Sequence, residues 1–233
     1  MSFVRNYALS KFFGKGSSGS GGGDIKALVE RTITEIEDDT IEVVGNSAFK
    51  YCTALKHVKL QNAKALGHYA FEDCTALTSL EIPNVTRIGE AAFRGCIALT
   101  YMDLPNVTEL VGGFIPRDTG LKKMAFHSFV TISATYCLQT CKVYDFYKGF
   151  KSTTSNVFGA CTAVVIRNTD SLSVLGSYES YWNCKILVPS VLLEEYKAGT
   201  NWSSYANQIF PVEDYTLDGT VMGELDLVKL GVA

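Results

Sequence analysis

Two carboxylates, Glu81 and Asp103, lie 22 residues apart at equivalent positions of a repeated sequence pattern. If successive repeats form neighbouring parallel strands, the two side chains lie at about the 4.8 Å spacing between strands. Carboxyl groups about 5 to 5.5 Å apart are the geometry of a retaining glycosidase. That chemistry also needs a cleft and one carboxyl group with a raised pKa, whereas an open sheet face leaves both groups solvated and Lys59 offsets one of them. We therefore interpret the pair as part of a solvated face or a polar ligand site.

The pattern that positions this pair has a period of 22 residues and extends over residues 44–126. A period of about 20 to 29 residues with an L-x-x-L-x-L core is typical of a leucine-rich-repeat solenoid. Each coil has too few apolar residues to form a core alone, so its inward side chains must pack against the next coil. The recurring columns are Val44, Leu66, Ile88 and Leu110; Gly45, Gly67 and Gly89; Phe49, Phe71 and Phe93; Cys52, Cys74 and Cys96; Leu55, Leu77, Leu99 and Leu121; and Asn62, Asn84 and Asn106.

Within each coil, residues 56–60, 79–82 and 101–104 alternate apolar and polar side chains, which predicts half-buried strands. Residues 47–51, 69–73 and 91–95 are too short for ordinary helices, and single helical or 3₁₀ turns are expected there. The asparagine column is expected to satisfy backbone groups of the adjacent coil. We predict a right-handed leucine-rich-repeat solenoid, rich in β-structure, with a parallel β-sheet on one face and short helical or 3₁₀ turns opposite.

The chain before the repeats divides into three segments. Residues 1–13 place apolar side chains at helical spacing, which favours either a docking peptide or a self-packed terminus. Residues 14–23 have the composition of a flexible Gly/Ser linker, native or engineered. Residues 24–40 are expected to form an N-terminal cap, with a short helix starting at Asp24 and a strand over 32–36. The candidate docking residues are Phe3, Val4, Tyr7 and Phe12.

The solenoid is expected to span residues 41–188, regular to about 126 and irregular after it, with strands still predicted at 143–146, 163–167 and 185–188. Residues 189–215 predict a C-terminal cap that contains a short helix with Ser190 as its N-cap. The tail, 216–233, is polar and is expected to be an appended strand or a mobile end.

Aromatic residues are concentrated in the irregular half of the repeat region. They favour either a platform that stacks on sugar rings or, as the better interpretation, rings that fill the space regular coils fill with leucine. These residues are Tyr136, Tyr144, Phe146, Tyr147, Phe150, Phe158, Tyr178, Tyr181 and Trp182.

Composition excludes several function classes. The chain has 233 residues and a net charge of −3, which gives no basic field for nucleic acid or anionic lipid, and it has no apolar run long enough for a membrane span. Its seven cysteines come without an evident secretion signal, so Cys52, Cys74 and Cys96 are interpreted as reduced core residues. The histidines are too dispersed for a metal site, and no metal or cofactor is predicted.

The unit I-G-x-x-A-F-x-x-C-x-x-L-x-x-[IVLM]-x-[IL]-P-N, clearest over residues 88–106, resembles the BspA-type leucine-rich repeat of bacterial surface and host-interaction proteins. The run I-L-V-P-S, followed by E-Y-K-A-G-T-N-W-S-S-Y-A-N-Q-I, resembles the closing cap of such proteins from Firmicutes and their bacteriophages. The resemblance implies adhesion or receptor recognition without catalysis. Because the signal peptide of the family's secreted members is missing, we expect a virion-borne or surface-associated protein made without Sec export, and otherwise a cytoplasmic one.

The leading hypothesis is a non-enzymatic recognition module that docks on a larger virion or surface assembly and binds a bacterial cell-surface glycan or protein. A structural decoration or assembly protein is the alternative, and a cell-wall glycosidase is a remote third. Outward positions on the strands, where the coils differ, are the expected ligand contacts. These are His57, Lys59, Ser79, Glu81, Tyr101, Asp103 and Lys123.

Overall fold

The computed structural model describes residues 32–110, 120–133, 138, 141–154, 157–159, 161–176 and 184–232. Their backbone forms a solenoid of about seven turns built from parallel strands with few helices. Every hydrogen-bonded pair of named strands is parallel, which confirms the predicted architecture.

The first sheet contains the strands that the alternating pattern predicts. Its outward surface, which we call the strand face, carries the candidate ligand contacts. The hydrogen-bonded ladder is interrupted between β5 (Ser79–Glu81) and β7 (Tyr101–Leu104), which lie next to each other. The strands are β1 (Glu35–Glu37), β3 (His57–Lys59), β5 (Ser79–Glu81), β7 (Tyr101–Leu104), β9 (Lys123–Phe126), β11 (Val143–Phe146), β13 (Ala163–Ile166), β14 (Lys185–Val188) and β15 (Ile209–Pro211).

A second parallel sheet, which the sequence analysis does not predict, follows the asparagine column in each coil. Most of its strands have only two residues, too few to show an alternating pattern. Leu66 and Ile88 point inward from it, and the preceding residue points outward. The strands are β2 (Val43–Val44), β4 (Ala65–Leu66), β6 (Arg87–Ile88), β8 (Glu109–Leu110), β10 (Val130–Ile132) and β12 (Phe150–Ser152).

The segments 47–51, 69–73 and 91–95 form a third face, the turn face. They are single turns closed by hydrogen bonds from residue i to residue i−3, as in the expected 3₁₀ turns, and not continuous helices. Lys50 N–H donates to the Ser47 carbonyl three residues back at 3.3 Å, whereas Phe49 N–H donates to Ala70 of the next coil at 2.8 Å. Ser47 and Tyr51 have positive φ (55° and 65°), which breaks the helical sense at every fourth residue. The turn face therefore joins neighbouring coils by backbone hydrogen bonds, as a sheet does.

The glycine column permits the coils to approach each other at the entry to these turns. A Cβ atom at Gly89 would lie 2.5 Å from the backbone nitrogen of His68, and one at Gly67 would lie 2.6 Å from that of Asn46. Only a residue without a side chain fits at this distance.

Stacked rings and thiols fill the regular core. The ring centroids of Phe49 and Phe71 lie 5.2 Å apart and those of Phe71 and Phe93 lie 5.6 Å apart, in nearly parallel stacks. Cys74 and Cys96 are fully buried free thiols that donate to backbone carbonyls of the preceding coil at 3.1 and 3.2 Å. Burial raises the pKa of the Cys96 thiol to about 12, so it stays protonated. The interpretation of this column as reduced core cysteines is confirmed.

The asparagine column forms the expected ladder. The side-chain amides of Asn62, Asn84 and Asn106 each donate to a backbone carbonyl of the preceding coil, at 2.8, 2.7 and 2.7 Å. Ser128 continues the ladder by donating to the Pro105 carbonyl at 2.8 Å. The ladder therefore caps the turns and extends one coil beyond the visible repeat.

Aromatic rings in the irregular half fill the core. Tyr144, Phe146 and Phe150 are fully buried, and Phe158 packs edge-on against two of them. This confirms the core interpretation for these rings and removes them as a sugar-stacking platform. Tyr136, Tyr178, Tyr181 and Trp182 lie outside the described residues, as do 1–31 with the linker and the helix expected after Asp24.

The C-terminal cap contains a 3₁₀ helix (Ser190–Leu192), helix α1 (Leu193–Ala198) and a second 3₁₀ helix (Ser203–Gln208). The prediction of Ser190 as an N-cap is wrong: its N–H and hydroxyl donate to the Glu213 carboxylate at 3.0 and 2.9 Å. The buried Trp202 ring closes the core and donates to the Ser173 carbonyl at 2.8 Å.

The tail is neither a mobile end nor a simple added strand. Residues 212–232, which we call the C-terminal segment, fold back over the strand face. They form a 3₁₀ helix (Val212–Tyr215), an antiparallel bridge between Thr216 and Leu225, and helix α2 (Leu227–Leu230). Their apolar side chains form a second core with outward residues of β11, β13 and β14, which comprises Val143, Ala163, Val165, Leu187, Val212, Leu225, Leu230 and Val232.

Candidate functional site

The C-terminal segment divides the strand face into an open half, β1 to β7, and a covered half, β11 to β14. Six of the seven candidate ligand contacts lie in the open half. Two columns cross it: His57 pairs in register with Ser79, and Lys59 with Glu81. On β7 the outward residues are Tyr101 and Asp103, both exposed. These six side chains therefore lie on one surface of the structure. Lys123 lies on β9, between the open half and the covered half.

Lys59 has a different partner from the one expected. Its ammonium group donates to the Glu37 carboxylate on β1 at 2.6 Å. That hydrogen bond, followed by the charge of Glu37, raises the pKa of Lys59. Glu81 is exposed at the edge where the ladder stops.

Asp103 is held by a histidine that the sequence analysis considers only as a metal ligand. The Nε2 atom of His127 lies 2.7 Å from Asp103 Oδ1, and the His127 ring stacks on Tyr147 at a centroid distance of 4.3 Å. The sequence does indicate where His127 lies. It follows Pro105 by one period of 22 residues, so it is expected just after the end of a strand of the strand face. Asp103, His127 and Tyr147 thus form one polar and aromatic cluster.

Tyr101 presents the largest exposed ring of the open half, with 48% of its surface accessible. Desolvation, followed by the nearby carboxylate of Asp103, raises the pKa of its hydroxyl to about 12. The hydroxyl therefore stays protonated near neutral pH and is a hydrogen-bond donor as well as an acceptor.

Lys123 is not an open ligand contact. Its ammonium group lies 3.0 Å from the carboxylate of Asp145, which is fully buried, and only 17% of its side chain is exposed. Arg167 forms a bidentate pair with the same carboxylate at 2.7 and 3.1 Å. From Nη1, Arg167 also donates to the carbonyls of Val221 and, at 2.8 Å, Gly223. This network ties the strand face to the C-terminal segment.

A second buried carboxylate lies on the turn face. Glu72 is fully buried between Lys50 and Arg94, which occupy the same column one coil away on either side. Lys50 Nζ lies 2.5 Å from a Glu72 oxygen, and it also lies over the Tyr51 and Tyr69 rings. The bond to Glu72 raises the pKa of Lys50. This column is a charged ladder that joins three coils.

Asp103 is engaged by His127, and the ladder break separates β5 from β7, so the proposed pairing of Glu81 with Asp103 has no structural support as an acid and nucleophile. Within the described ranges, no group of three or more His, Cys, Asp and Glu side chains is arranged to hold a metal ion. The candidate docking residues Phe3, Val4, Tyr7 and Phe12 lie outside the described residues.

Parallel coils that stack leucine, phenylalanine and cysteine columns at a 22-residue period define a leucine-rich-repeat solenoid. The chain belongs to the family described as the BspA type Leucine rich repeat region, whose profile matches six copies within residues 28–144 and 64–188. This confirms the resemblance to BspA-type repeats. Such repeats are interaction and adhesion modules and are typically non-catalytic. No curated protein matches the chain. No helix within the described ranges has the length and apolar composition to span a membrane.

Proposed function

We propose that this chain is a non-enzymatic recognition module, carried on a bacteriophage virion or a bacterial surface, whose open half of the strand face binds a cell-surface glycan or protein. The observation that carries the proposal is the contrast between the two sides of each coil. Inward columns repeat one residue type, whereas the outward column His57, Ser79 and Tyr101 changes at every coil. A scaffold that is constant inside and variable on one accessible face is suited to recognition.

Replacing Tyr101 and Asp103 by alanine is expected to weaken binding to host cells by roughly tenfold or more, because an exposed aromatic ring beside a charged group is the kind of contact that dominates interface energy. Cell binding of the labelled protein measures the effect. Tyr51→Ala is the matched control, since Tyr51 has a similar exposure, 53%, on the turn face. Equal affinity of the double variant and Tyr51→Ala would remove the strand face as the binding surface.

The proposal assigns residues 1–13 to docking on the larger particle, with residues 14–23 as the spacer. Their deletion is expected to abolish incorporation into the particle and to spare cell binding by the free protein. Particle incorporation is measured by co-sedimentation, and cell binding by the assay above. If the shortened chain is incorporated as well as the full chain, the docking role is wrong.

One observation favours the alternative function, a structural decoration or assembly protein. Three large apolar side chains on the C-terminal segment are exposed, Leu217 by 66%, Met222 by 61% and Val228 by 76%. A contiguous exposed apolar patch is typical of a protein interface, and this alternative requires the three side chains to form one. Under this alternative, substitution of these residues by serine impairs assembly, while Tyr101→Ala has no effect on cell binding.

A further inference from the structure

A groove runs along the boundary between the open half of the strand face and the C-terminal segment. Its volume is about 360 Å³, within the range of small-molecule sites. One wall belongs to the solenoid and the other to the segment that folds back over it. The lining residues are Thr100, Tyr101, Lys122 and Lys123 on the first wall, and Glu224, Leu225 and Leu227 on the second.

The walls combine apolar surface with hydrogen-bonding groups. The exposed Tyr101 ring offers a flat apolar face and a protonated hydroxyl, and Leu225 and Leu227 add apolar surface on the opposite wall. A pyranose ring has the complementary character, because its C–H groups form apolar patches while its hydroxyls need donors and acceptors. Glu224 supplies a carboxylate that accepts hydrogen bonds from hydroxyl groups.

Among its described residues, the groove contains one exposed cation that has no acidic partner. Asp145 is a single buried carboxylate shared by Lys123 and Arg167, so it compensates only one of the two. Lys122 is exposed and has no acidic partner among the described residues. Glu224 is the one acidic residue among the described residues of the lining. Because Lys123 is held by Asp145, Lys122 is the lining cation that remains available to an anionic ligand.

We propose that this groove binds one anionic sugar unit of a bacterial surface glycan, with the sugar ring against Tyr101 and its carboxylate or phosphate group at Lys122. The inference rests on the proposed function and specifies its ligand class. It also gives the C-terminal segment a role in recognition, since Glu224, Leu225 and Leu227 complete a site that the repeat alone leaves as an open face.

Titration of the full chain with three soluble polymers tests the proposal: an oligouronate that carries carboxylates, a glycerol phosphate polymer, and a neutral glucan. We expect at least one anionic polymer to bind and the neutral one not to bind. The anionic polymer that binds shows whether the recognised group is a carboxylate or a phosphate. Affinity should fall with added salt, because the contact is a partly exposed ion pair. Failure of both anionic polymers to bind, or equal binding of the neutral glucan, would overturn the proposal.

Variants locate the site. Lys122→Gln is expected to weaken binding of the anionic polymer by roughly fivefold at low salt, and Tyr101→Ala by roughly tenfold, whereas Lys122→Arg should bind like the wild type. Lys56→Gln is the matched control, because Lys56 is an exposed lysine directly before strand β3 and is not part of the groove. Equal losses in Lys122→Gln and Lys56→Gln would show that the anion binds elsewhere.

Host-cell binding separates this inference from the function on which it rests. If Tyr101→Ala with Asp103→Ala reduces cell binding while Lys122→Gln does not, the strand face is the recognition surface and the groove proposal is wrong. If the wild-type chain binds no cells, the proposed function itself fails.

Discussion

Replacement of Arg167 by methionine is expected to lower the free energy of unfolding by about 3 to 5 kcal/mol and to release the C-terminal segment from the strand face. Arg167 is fully buried, and its removal leaves the buried Asp145 carboxylate with Lys123 as the one remaining cation among the described residues. The carbonyls of Val221 and Gly223 lose their donor at the same time. Urea unfolding measures the stability, and limited proteolysis within residues 212–232 measures the release.

Arg87→Met is the control for this variant, since Arg87 is an exposed arginine on β6 and its loss should change stability by less than about 0.5 kcal/mol. The double variant Arg167→Met with Asp145→Leu should recover part of the stability, because it no longer buries a carboxylate that has lost its bidentate partner. If Arg167→Met unfolds at the same urea concentration as Arg87→Met, the network does not anchor the segment.

Phe71→Ala is expected to cost about 3 to 5 kcal/mol, the range for removing a buried phenylalanine. Phe71 is fully buried and is the middle ring of the stack, so its loss removes contacts to Phe49 and Phe93 together and leaves a cavity between adjacent coils. In a solenoid, stability depends on interfaces between neighbouring coils, so the variant should also unfold less cooperatively. Urea unfolding gives both the midpoint and the slope.

Phe71→Leu should lose less stability than Phe71→Ala, because leucine fills part of the cavity. Tyr51→Ala removes a ring from the same turn face without creating a cavity and should be nearly neutral. A loss below about 1 kcal/mol in Phe71→Ala would mean that the coils do not depend on the ring stack.

The regular coils could be predicted from sequence because each structural role repeats in one residue type. Phe71 and Cys74 lie between identical neighbours at a separation of 22, so the column, its burial and its stacking follow together. The asparagine ladder followed from the same logic. The second sheet did not, because a strand such as Arg87–Ile88 has one inward and one outward residue and no periodicity to detect.

The sequence of strand β13 indicates that the strand face is covered there. Strand β13 reads Ala-Val-Val-Ile, and a continuous apolar run predicts a strand buried on both faces. Val165 therefore needed an outer partner from elsewhere in the chain. That partner was hard to identify because Leu225 and Leu230 are interspersed with charged residues and glycine, and a contact between distant segments leaves no local pattern.

The candidate site was predicted in part. The outward positions on β3, β5 and β7 followed from alternation along each strand. The partners of these side chains did not follow from alternation. Lys59 pairs with Glu37 in the capping strand, and Asp103 pairs with His127 beyond the end of β9. Side-chain partners across coils depend on rotamers and turn geometry that the period alone does not determine.

The fold-back of the C-terminal segment imposes an order on biosynthesis. Coils can stack as they leave the ribosome, because each contacts mainly its predecessor. The outward Val143, Val165 and Leu187, however, have no cover until residues 212–232 have emerged. Each nascent chain therefore passes through a stage in which a nearly complete solenoid displays an apolar sheet surface, and this stage is when chaperone binding and aggregation between neighbouring chains compete with native folding.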